Sequence, residues 1–515
     1  MKKLLVTLLF IASSTGLLMS QAFTVDGIRY SVTSPTDPRT VEVVSKTPKY
    51  EGDITIPDQV THESQLYTVT GIADWAFYIC PDLTSVNIPE SVTYIGRKAF
   101  EQCRGLTSFT IPASVTIIRD DAFMHCSNLG SIDIPNSVTV IGPGAFAYCS
   151  GLTALSVGAS VEVIGDHAFA HCNSLPAIDV DDDNAHFTSV DGVLYDKAVT
   201  RVLQFPAGKT GSLVLPGTVT TIGRYSFNGG EGLTSITFPN SLTTIEEGAF
   251  HLCTGLTSVE LPDSVTKIGG SAFSSCTSLT EITLGESVTE IGEGAFAGCT
   301  SLVEITIPSS ISVIERFTFG GCSGLESIVI GDSVVSIGEG AFYECTGLTS
   351  VIIRERVELI EMMAFYGCTE LASITCYAIT PPEVEWFVFE NVPKTIPLYV
   401  PEESISDYKE AFGWEEFVNI LPVTVTFTPE FPLQEAGVKL YPNPLTSRAK
   451  IEFNNNQDHR FILEIADLRG KVLIRRESHE NMMIIERGVL TSGNYVYILH
   501  NSVTGERFSG MLIVR

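Results

Sequence analysis

The sequence predicts a β-dominated solenoid with short connecting turns, followed by a small β-sandwich. Three observations support this prediction. A small residue followed by phenylalanine recurs every 23 residues in two blocks, a leucine stands six residues after each phenylalanine, and the charge balance changes near residue 438. The twelve repeat phenylalanines are Phe77, Phe100, Phe123, Phe146, Phe169, Phe227, Phe250, Phe273, Phe296, Phe319, Phe342 and Phe365.

The repeating unit reads LTSITIPxSVTxIGxGAFxxCxG. Leu83, Val86 and Ile88 are expected on the inward face of one strand, with Val92 and Ile95 as a second inward pair. One unit cannot bury its apolar side alone, whereas stacked units form a continuous core with ladders of leucine, isoleucine and phenylalanine. This period and leucine pattern are typical of a leucine-rich repeat solenoid.

Eleven of the 12 cysteines lie three residues after a repeat phenylalanine, and only Cys376 is out of register. Stacked coils place equivalent Cβ atoms about 4.8 Å apart, which is wide for a disulfide. We therefore expect buried free thiols that fill core space, with a few bridges as the alternative. No histidine or carboxylate recurs beside them, so the pattern does not favour a metal site or a catalytic thiol.

The array is interrupted once, between Phe169 and Phe227, by an insertion at residues 181–212. Residues 193–195 and 200–205 have the pattern of a β-hairpin that projects from the solenoid. Insertions in repeat arrays often serve binding, so Phe187 and Tyr195 are candidate ligand contacts. The alternative is a tolerated insertion with its own packing role. His171, in a nearby turn, is expected to be exposed.

Charge is distributed unevenly along the chain. The 31 Lys+Arg and 60 Asp+Glu give a formal net charge of −29, which disfavours binding to nucleic acid because phosphates require a basic surface. Residues 438–515 instead hold 11 basic and 8 acidic residues. Between the two parts, residues 422–437 contain three prolines and have the composition of a linker.

Residues 1–22 have the pattern of a secretory signal peptide. Lys2 and Lys3 precede an apolar run that ends in a small-residue cleavage site. The run is shorter than the roughly 20 apolar residues that span a bilayer. We expect cleavage, and no transmembrane segment in the mature chain.

Catalytic motifs are not found: the sequence has no His-Glu-x-x-His, no Gly-x-Ser-x-Gly and no phosphate-binding loop. We therefore expect no enzymatic activity, no metal and no cofactor. A polar strand surface recurs outside the predicted core, and threonine and serine there favour β-structure and solubility. The same surface offers a broad face for a partner, as in other solenoids. Candidate ligand contacts on it are Thr84, Ser85, Asn87, Thr107, Thr234 and Thr257.

The unit IPxSVTxIGxGAFxxCxxL resembles the leucine-rich repeat of BspA-like surface proteins, over residues 23–421. By this resemblance, residues 23–65 are an N-terminal β-hairpin cap, residues 66–376 are the repeat solenoid and residues 377–421 are a C-terminal cap. The segment VDGVLYD at residues 190–196 is similar to an irregular unit common in that family.

Residues 438–515 resemble a second family, the C-terminal sorting domain of the type IX secretion system of Bacteroidota. The matching segments include LYPNP at 440–444, IADLRGKV at 465–472 and LTSGNY at 490–495. Alternating residues in this region predict about seven short strands, as in a small Ig-like β-sandwich. The resemblance implies passage across the outer membrane, removal of this domain near the linker, and release or attachment to surface lipopolysaccharide. The sorting-motif residues are Tyr441, Pro442, Asn443, Pro444, Gly470, Gly493 and Tyr495.

Together these features predict a non-enzymatic protein that is secreted or displayed on the outer face of the cell. The BspA-like resemblance implies an adhesin that binds host matrix or plasma proteins, or other cells. The type IX secretion machinery is a further expected partner. The alternative is a glycan-binding surface protein for nutrient capture, although exposed aromatic residues suited to sugars are few in the sequence.

Overall fold

The structure is a computed structural model. It describes residues 22–285, 287–423, 439–441, 445, 448–453, 455, 459–466, 472–488, 490, 493–501 and 507–514. The predicted signal peptide lies outside the described residues except for Ala22, and so does most of the predicted linker, residues 424–437. The chain forms two compact units: the first extends to Leu398 and includes Ser406–Asn419, and the second comprises Tyr399–Ile405 and the chain from Ile420 onward.

The N-terminal strands form a mixed arrangement before the repeats begin, with β1, β2 and β3 antiparallel and β3 parallel to β6. These strands are β1 (Ala22–Val25), β2 (Ile28–Ser34), β3 (Thr40–Val43), β4 (Gly52–Thr55), β5 (Gln59–His62) and β6 (Gln65–Ile72). Within this one sheet, strand pairing changes from antiparallel hairpins to parallel stacking. The N-terminal strands thereby cover the first coil.

Most coils of the solenoid contribute a longer strand and a two-residue strand. In the first array these are β7 (Leu83–Asn87), β8 (Tyr94–Ile95), β9 (Ile117–Ile118), β10 (Ser131–Asp133), β11 (Val140–Ile141), β12 (Ala154–Val157), β13 (Val163–Ile164) and β14 (Asp179–Val180). The insertion and second array add β15 (Phe187–Val190), β16 (Val193–Asp196), β17 (Arg201–Gln204), β18 (Gly211–Val214), β19 (Thr221–Ile222), β20 (Leu233–Thr237), β21 (Thr244–Ile245), β22 (Ser258–Glu260), β23 (Lys267–Ile268), β24 (Glu281–Thr283), β25 (Glu290–Ile291), β26 (Val313–Ile314), β27 (Ser327–Val329), β28 (Ser336–Ile337), β29 (Ser350–Ile353), β30 (Leu359–Ile360), β31 (Ser373–Cys376) and β32 (Glu383–Val384).

Neighbouring coils pair in parallel with a constant step. Val140 pairs with Val163, and Ile141 with Ile164, so that equivalent residues 23 positions apart are in register. The predicted inward residues Leu83, Val92 and Ile95 are fully buried, which confirms the assignment of the core face. Residues 106–111 are not assigned as a strand although their apolar side chains are buried.

The phenylalanines form a stacked ladder through the core. Consecutive rings are nearly parallel; Phe77 and Phe100 have centroids 4.9 Å apart and an interplanar angle of 6°. The ladder is longer than the 23-residue step predicts, because Phe205 stacks on Phe227 and Phe389 stacks on Phe365. These two were missed because their spacing is 22 and 24 residues.

All twelve cysteines are buried free thiols in the structure, as expected. In ten of the coils the thiol donates to the carbonyl of a ladder phenylalanine in the preceding coil; from Cys103 Sγ to the Phe77 oxygen the distance is 3.0 Å. Burial raises the pKa of Cys126 to about 12, so the thiolate form is strongly disfavoured. These ten cysteines therefore fill space and satisfy backbone acceptors.

The insertion does not project from the solenoid, which corrects the sequence-based expectation. The predicted hairpin is present as antiparallel β16 and β17, with β15 added on its outer side. However, β17 pairs in parallel with β19, so the hairpin is the first part of the second array's sheet. Its apolar side chains face the core, and this burial stabilises the join.

A cap closes the last coil with a short α-helix. It comprises β33 (Pro397–Val400), a 3₁₀ turn (Glu402–Ser404), α1 (Ile405–Glu410) and β34 (Asn419–Pro422). The buried Trp414 donates its indole N–H to the Pro382 carbonyl at 2.9 Å, and Tyr408 donates to the Ala378 carbonyl at 2.8 Å. Aromatic side chains thus cover the end of the core where no further coil follows.

Among the described residues from 439 onward, seven strands lie in two antiparallel sheets, ordered β35-β36-β39 and β38-β37-β40-β41. Ile451 and Ile485 of one sheet share an apolar core with Leu463 and Leu499 of the other. The unit is therefore a small β-sandwich, and its Ig-like character stays a prediction. Its strands are β35 (Lys439–Tyr441), β36 (Arg448–Glu452), β37 (Phe461–Ala466), β38 (Val472–Ser478), β39 (Met482–Glu486), β40 (Gly493–Asn501) and β41 (Arg507–Val514).

The stacked phenylalanines predict that removal of one ring strongly lowers the free energy of unfolding. Phe273 is fully buried, with its ring 5.0 Å from that of Phe250 and 5.7 Å from that of Phe296. We expect Phe273→Ala to lower the free energy of unfolding by about 3–5 kcal/mol, because the neighbouring coils cannot close the cavity. Thr283→Ala, on the exposed strand surface, is the control. Equal urea midpoints for both variants would contradict the ladder.

The thiols provide a second check on the core. In native buffer we expect no cysteine to react with Ellman's reagent, since every thiol is buried. In guanidinium without reductant all 12 should react. A lower count after unfolding would show that bridges exist.

Candidate binding surfaces

The predicted strand surface is accessible but uniform. Thr84, Asn87, Thr107, Thr234 and Thr257 are exposed, and Ser85 is half-buried. Several of their hydroxyls are already engaged: those of Thr84 and Ser85 donate to Asp53 Oδ1 at 2.7 and 2.6 Å. These bonds lower the pKa of the Asp53 carboxyl, the Ser85 bond having the larger effect. The structure brings these residues onto one face, and their role as ligand contacts stays a prediction.

The two insertion residues proposed as ligand contacts are not accessible. Phe187 is 8% exposed and Tyr195 is 1% exposed, because β15 and β16 pack their apolar side chains against the core. Neither ring can contact a ligand without unfolding of the hairpin. The sequence pattern identified the hairpin but not which of its faces is buried.

Side chains of varied chemistry lie instead on the turn edge, which we define as the turns on either side of each ladder phenylalanine. In every regular coil the residues two before and two after that phenylalanine have positive φ, as do Lys98 and Gln102 around Phe100. Glycine occupies many of these positions, for example Gly144 and Gly248. Other residues there cost about 1–2 kcal/mol each, so bulky side chains in this register are unfavourable for stability alone.

Histidine and tyrosine rings occupy this edge near the middle of the solenoid. The Tyr148 ring stacks on His125 at 4.5 Å and on His171 at 4.4 Å, and the rings of His167 and Tyr225 lie 4.0 Å apart. The stacking buries His171 to 8% exposure, contrary to the expectation of an exposed turn. Burial lowers the pKa of His171, with nearby Glu231 opposing the effect.

A second concentration of exposed aromatic residues lies at the C-terminal cap. Trp386, Phe387 and Phe412, here called the cap patch, are 66%, 54% and 53% exposed. The rings of Trp386 and Phe412 meet edge to face at 5.2 Å, beside a cavity of about 180 Å³. The carboxylates that line this cavity are Glu385, Glu390 and Glu416.

The sorting-motif residues are described only in part. Tyr495 is buried in the core of the C-terminal unit, and Gly493 begins β40. Tyr441 ends β35. Pro442, Asn443, Pro444 and Gly470 lie outside the described residues.

Comparison with protein families agrees with this architecture. Six copies of the BspA type leucine-rich repeat region match residues 66–189, 205–326 and 289–413, which is more than half of the chain. The chain belongs to the BspA-type leucine-rich repeat family. A secretion system C-terminal sorting domain matches residues 439–513, so this BspA-type protein also carries a sorting domain of the type IX secretion system.

Solved leucine-rich repeat proteins of other bacteria are similar to this BspA-type chain. One from Eubacterium ventriosum has a TM-score of 0.50 and 23% identity, covering 71% of this chain and 92% of its own, and shows the fold. One from Bacteroides ovatus has 29% identity and a TM-score of 0.48 over 76% of this chain and 98% of its own. A leucine-rich cell surface protein from Faecalibacterium prausnitzii has 26% identity and a TM-score of 0.43, over 69% and 94% of the two chains. Among curated proteins, no significant match is found.

The sorting domain indicates a secreted or cell-surface BspA-type protein that engages the type IX secretion machinery. Within the described ranges, no helix is long and apolar enough to cross a membrane. The same ranges contain no group of three or more His, Cys, Asp or Glu able to hold a metal ion.

Burial of His171 predicts a dependence of stability on pH. The unfolded chain takes up a proton near the ordinary pKa of 6.5, whereas the folded chain does so only at lower pH. The wild type should therefore lose stability relative to His171→Gln as the pH falls from 7.5 to 5.0. Urea midpoints of both proteins at the two pH values measure this difference. If the urea midpoints of the two proteins differed by the same amount at both pH values, the lowered pKa assigned to His171 would be contradicted.

Proposed function

We propose that this secreted surface protein is a non-enzymatic adhesin that binds extracellular proteins through the cap patch. The observation that carries the proposal is the exposure of Trp386, Phe387 and Phe412 at the C-terminal end of the repeats. Exposed tryptophan and phenylalanine are favourable anchors, because aromatic side chains dominate the hot spots of protein interfaces. Host matrix or plasma proteins and the surfaces of other cells are the proposed partners.

The rim of the cap patch supports a basic partner. Glu385 and Glu390 are exposed beside the aromatic rings, and Glu416 pairs with Lys394 at 2.9 Å. The region before residue 438 carries most of the 60 acidic residues of the chain. An apolar side chain flanked by Lys or Arg would complement both the rings and the carboxylates, and long-range attraction would speed association.

The strand surface is less favourable as the main anchor. Its threonine and serine side chains are short, and hot spots rarely consist of such residues. Thr257, for example, donates to the Thr234 carbonyl at 3.4 Å within the solenoid itself. This surface suits a supporting role around an anchored partner.

The test is solid-phase binding of the purified chain to fibronectin, fibrinogen and other matrix and plasma proteins at several salt concentrations. We expect saturable, salt-sensitive binding that Trp386→Ala with Phe412→Ala weakens about 30-fold or more, the effect of losing at least one hot spot. The carboxylate rim should make the binding weaker at high salt.

Leu66→Ala is the matched control, because Leu66 is 53% exposed at the other end of the solenoid. It should leave binding unchanged. Full binding by the double variant, with loss on Thr257→Lys, would place the partner on the strand surface and contradict the cap-patch proposal.

A further inference from the structure

Backbone amides on the turn edge hold each regular coil to the next one. The donors are the amide of the ladder phenylalanine and the amides two residues before and two residues after it. The Phe365 amide, for example, donates to the Val388 carbonyl at 3.1 Å. The Gly367 amide, two residues later, donates to the Glu390 carbonyl at 2.9 Å. Each such row of donors therefore needs a following turn that supplies carbonyl oxygens.

The final coil has the same row of donors, but the cap replaces the turn that would follow. The row consists of the amides of Phe387, Phe389 and Asn391, because Phe389 is the final ladder ring and the other two residues have the positive φ of this register. None of these three amides donates to an acceptor among the described residues. Backbone N–H groups are strong donors, so this row retains its capacity for carbonyl oxygens.

The cavity beside the cap patch lies against this row of amides. Its lining comprises the run from Val384 to Glu390 in the final coil, and Phe412, Gly413 and Glu416 of the cap. Equivalent N–H groups in earlier coils point along the stack to the next turn, so a ligand in this position occupies the place of a further turn. The volume of about 180 Å³ suits one extended segment rather than a helix, which is about 10–12 Å across with its side chains.

The surroundings of the amides determine which acceptor fits. Glu385 and Glu390 line the cavity, so their charge repels a carboxylate ligand and favours a neutral main-chain carbonyl. The exposed Trp386 and Phe412 rings lie at the same cavity and offer contact to an apolar side chain. The carboxylates attract a Lys or Arg that flanks this side chain.

We infer that the final coil binds an extended peptide segment of the partner through its main chain, with carbonyl oxygens on the amides of Phe387, Phe389 and Asn391. Alternate carbonyls of an extended chain lie on one side, as a single row of donors requires. Main-chain hydrogen bonds then supply affinity, whereas the cap patch and its carboxylates select the side chains. This inference rests on the proposed function, since it names the part of the partner that the cap patch binds.

The test uses the acetylated and amidated peptide Lys-Ser-Val-Trp-Val-Ser-Lys with the full chain. Calorimetry measures binding, and NMR of protein with ¹⁵N-labelled phenylalanine reports on the amides. We expect saturable binding and a downfield shift of the Phe387 amide proton, because it gains a hydrogen bond. Phe387→Leu identifies that resonance. Trp386→Ala should weaken binding about tenfold or more, and so should exchange of both peptide lysines for glutamate.

Trp75→Ala is the matched control. Trp75 is 43% exposed in the turn of the first coil, but its amide already donates to the Arg97 carbonyl at 2.9 Å. This variant should bind the peptide as the wild type does. Melting curves of both tryptophan variants show whether they remain folded.

Two results would overturn the inference: no binding of the peptide, or binding that leaves the Phe387 amide resonance unchanged. If either occurred while Trp386→Ala with Phe412→Ala still weakened binding to matrix proteins, main-chain binding would be wrong and the adhesin proposal would stand. Peptide binding with the expected shift, but without binding to any matrix or plasma protein, would support the site and contradict the proposed partners.

Discussion

Hydrogen bonding between successive coils is the constraint on which the rest of this molecule depends. The Phe77 amide donates to the Ala99 carbonyl at 2.7 Å, and the Phe100 amide to the Ala122 carbonyl at the same distance. Because each bond joins the phenylalanine of one coil to the alanine that precedes the phenylalanine of the next, ring, thiol and strand must all recur at one step. Phenylalanine stacking and buried cysteines follow from that repetition, and so does the left-handed backbone two residues on either side of each ring.

Repetition also explains how much the sequence could predict. A strict 23-residue step located the ladder, the inward leucines and the buried thiols, because every coil solves the same packing problem. It missed Phe205 and Phe389, whose steps differ from 23 by one residue, and it treated the insertion as a projection. Phe187 and Tyr195 could not be placed, since a short hairpin alternates in the same way whichever face is buried. The turn before Phe205 also differs, since Phe205 follows Val202 by three residues whereas Phe227 follows the paired Ile222 by five, and a repeat pattern does not contain this difference.

Recognition of a binding partner becomes possible at the coils that depart from the 23-residue repeat. The surface of a regular coil carries mainly serine, threonine and glycine. These small residues allow the coils to stack, but they provide few strong contacts to a partner. His171 and Tyr225 near the middle of the solenoid, and Trp386 in the last coil, occupy the same turn edge with larger side chains. The regular coils then hold these side chains on one hydrogen-bonded backbone frame, which limits the entropy lost when a partner is bound. The sorting domain carries this support to the cell exterior.

Hydrogen exchange of the full chain, alone and with a bound matrix protein, tests most directly whether recognition lies at the cap patch. We predict slower exchange at residues 383–390 and 411–417 with the protein. Exchange at the strand surface, including residues 83–88 and 257–260, should not change. Slower exchange distributed along that surface, with no change at residues 383–390 and 411–417, would contradict the account.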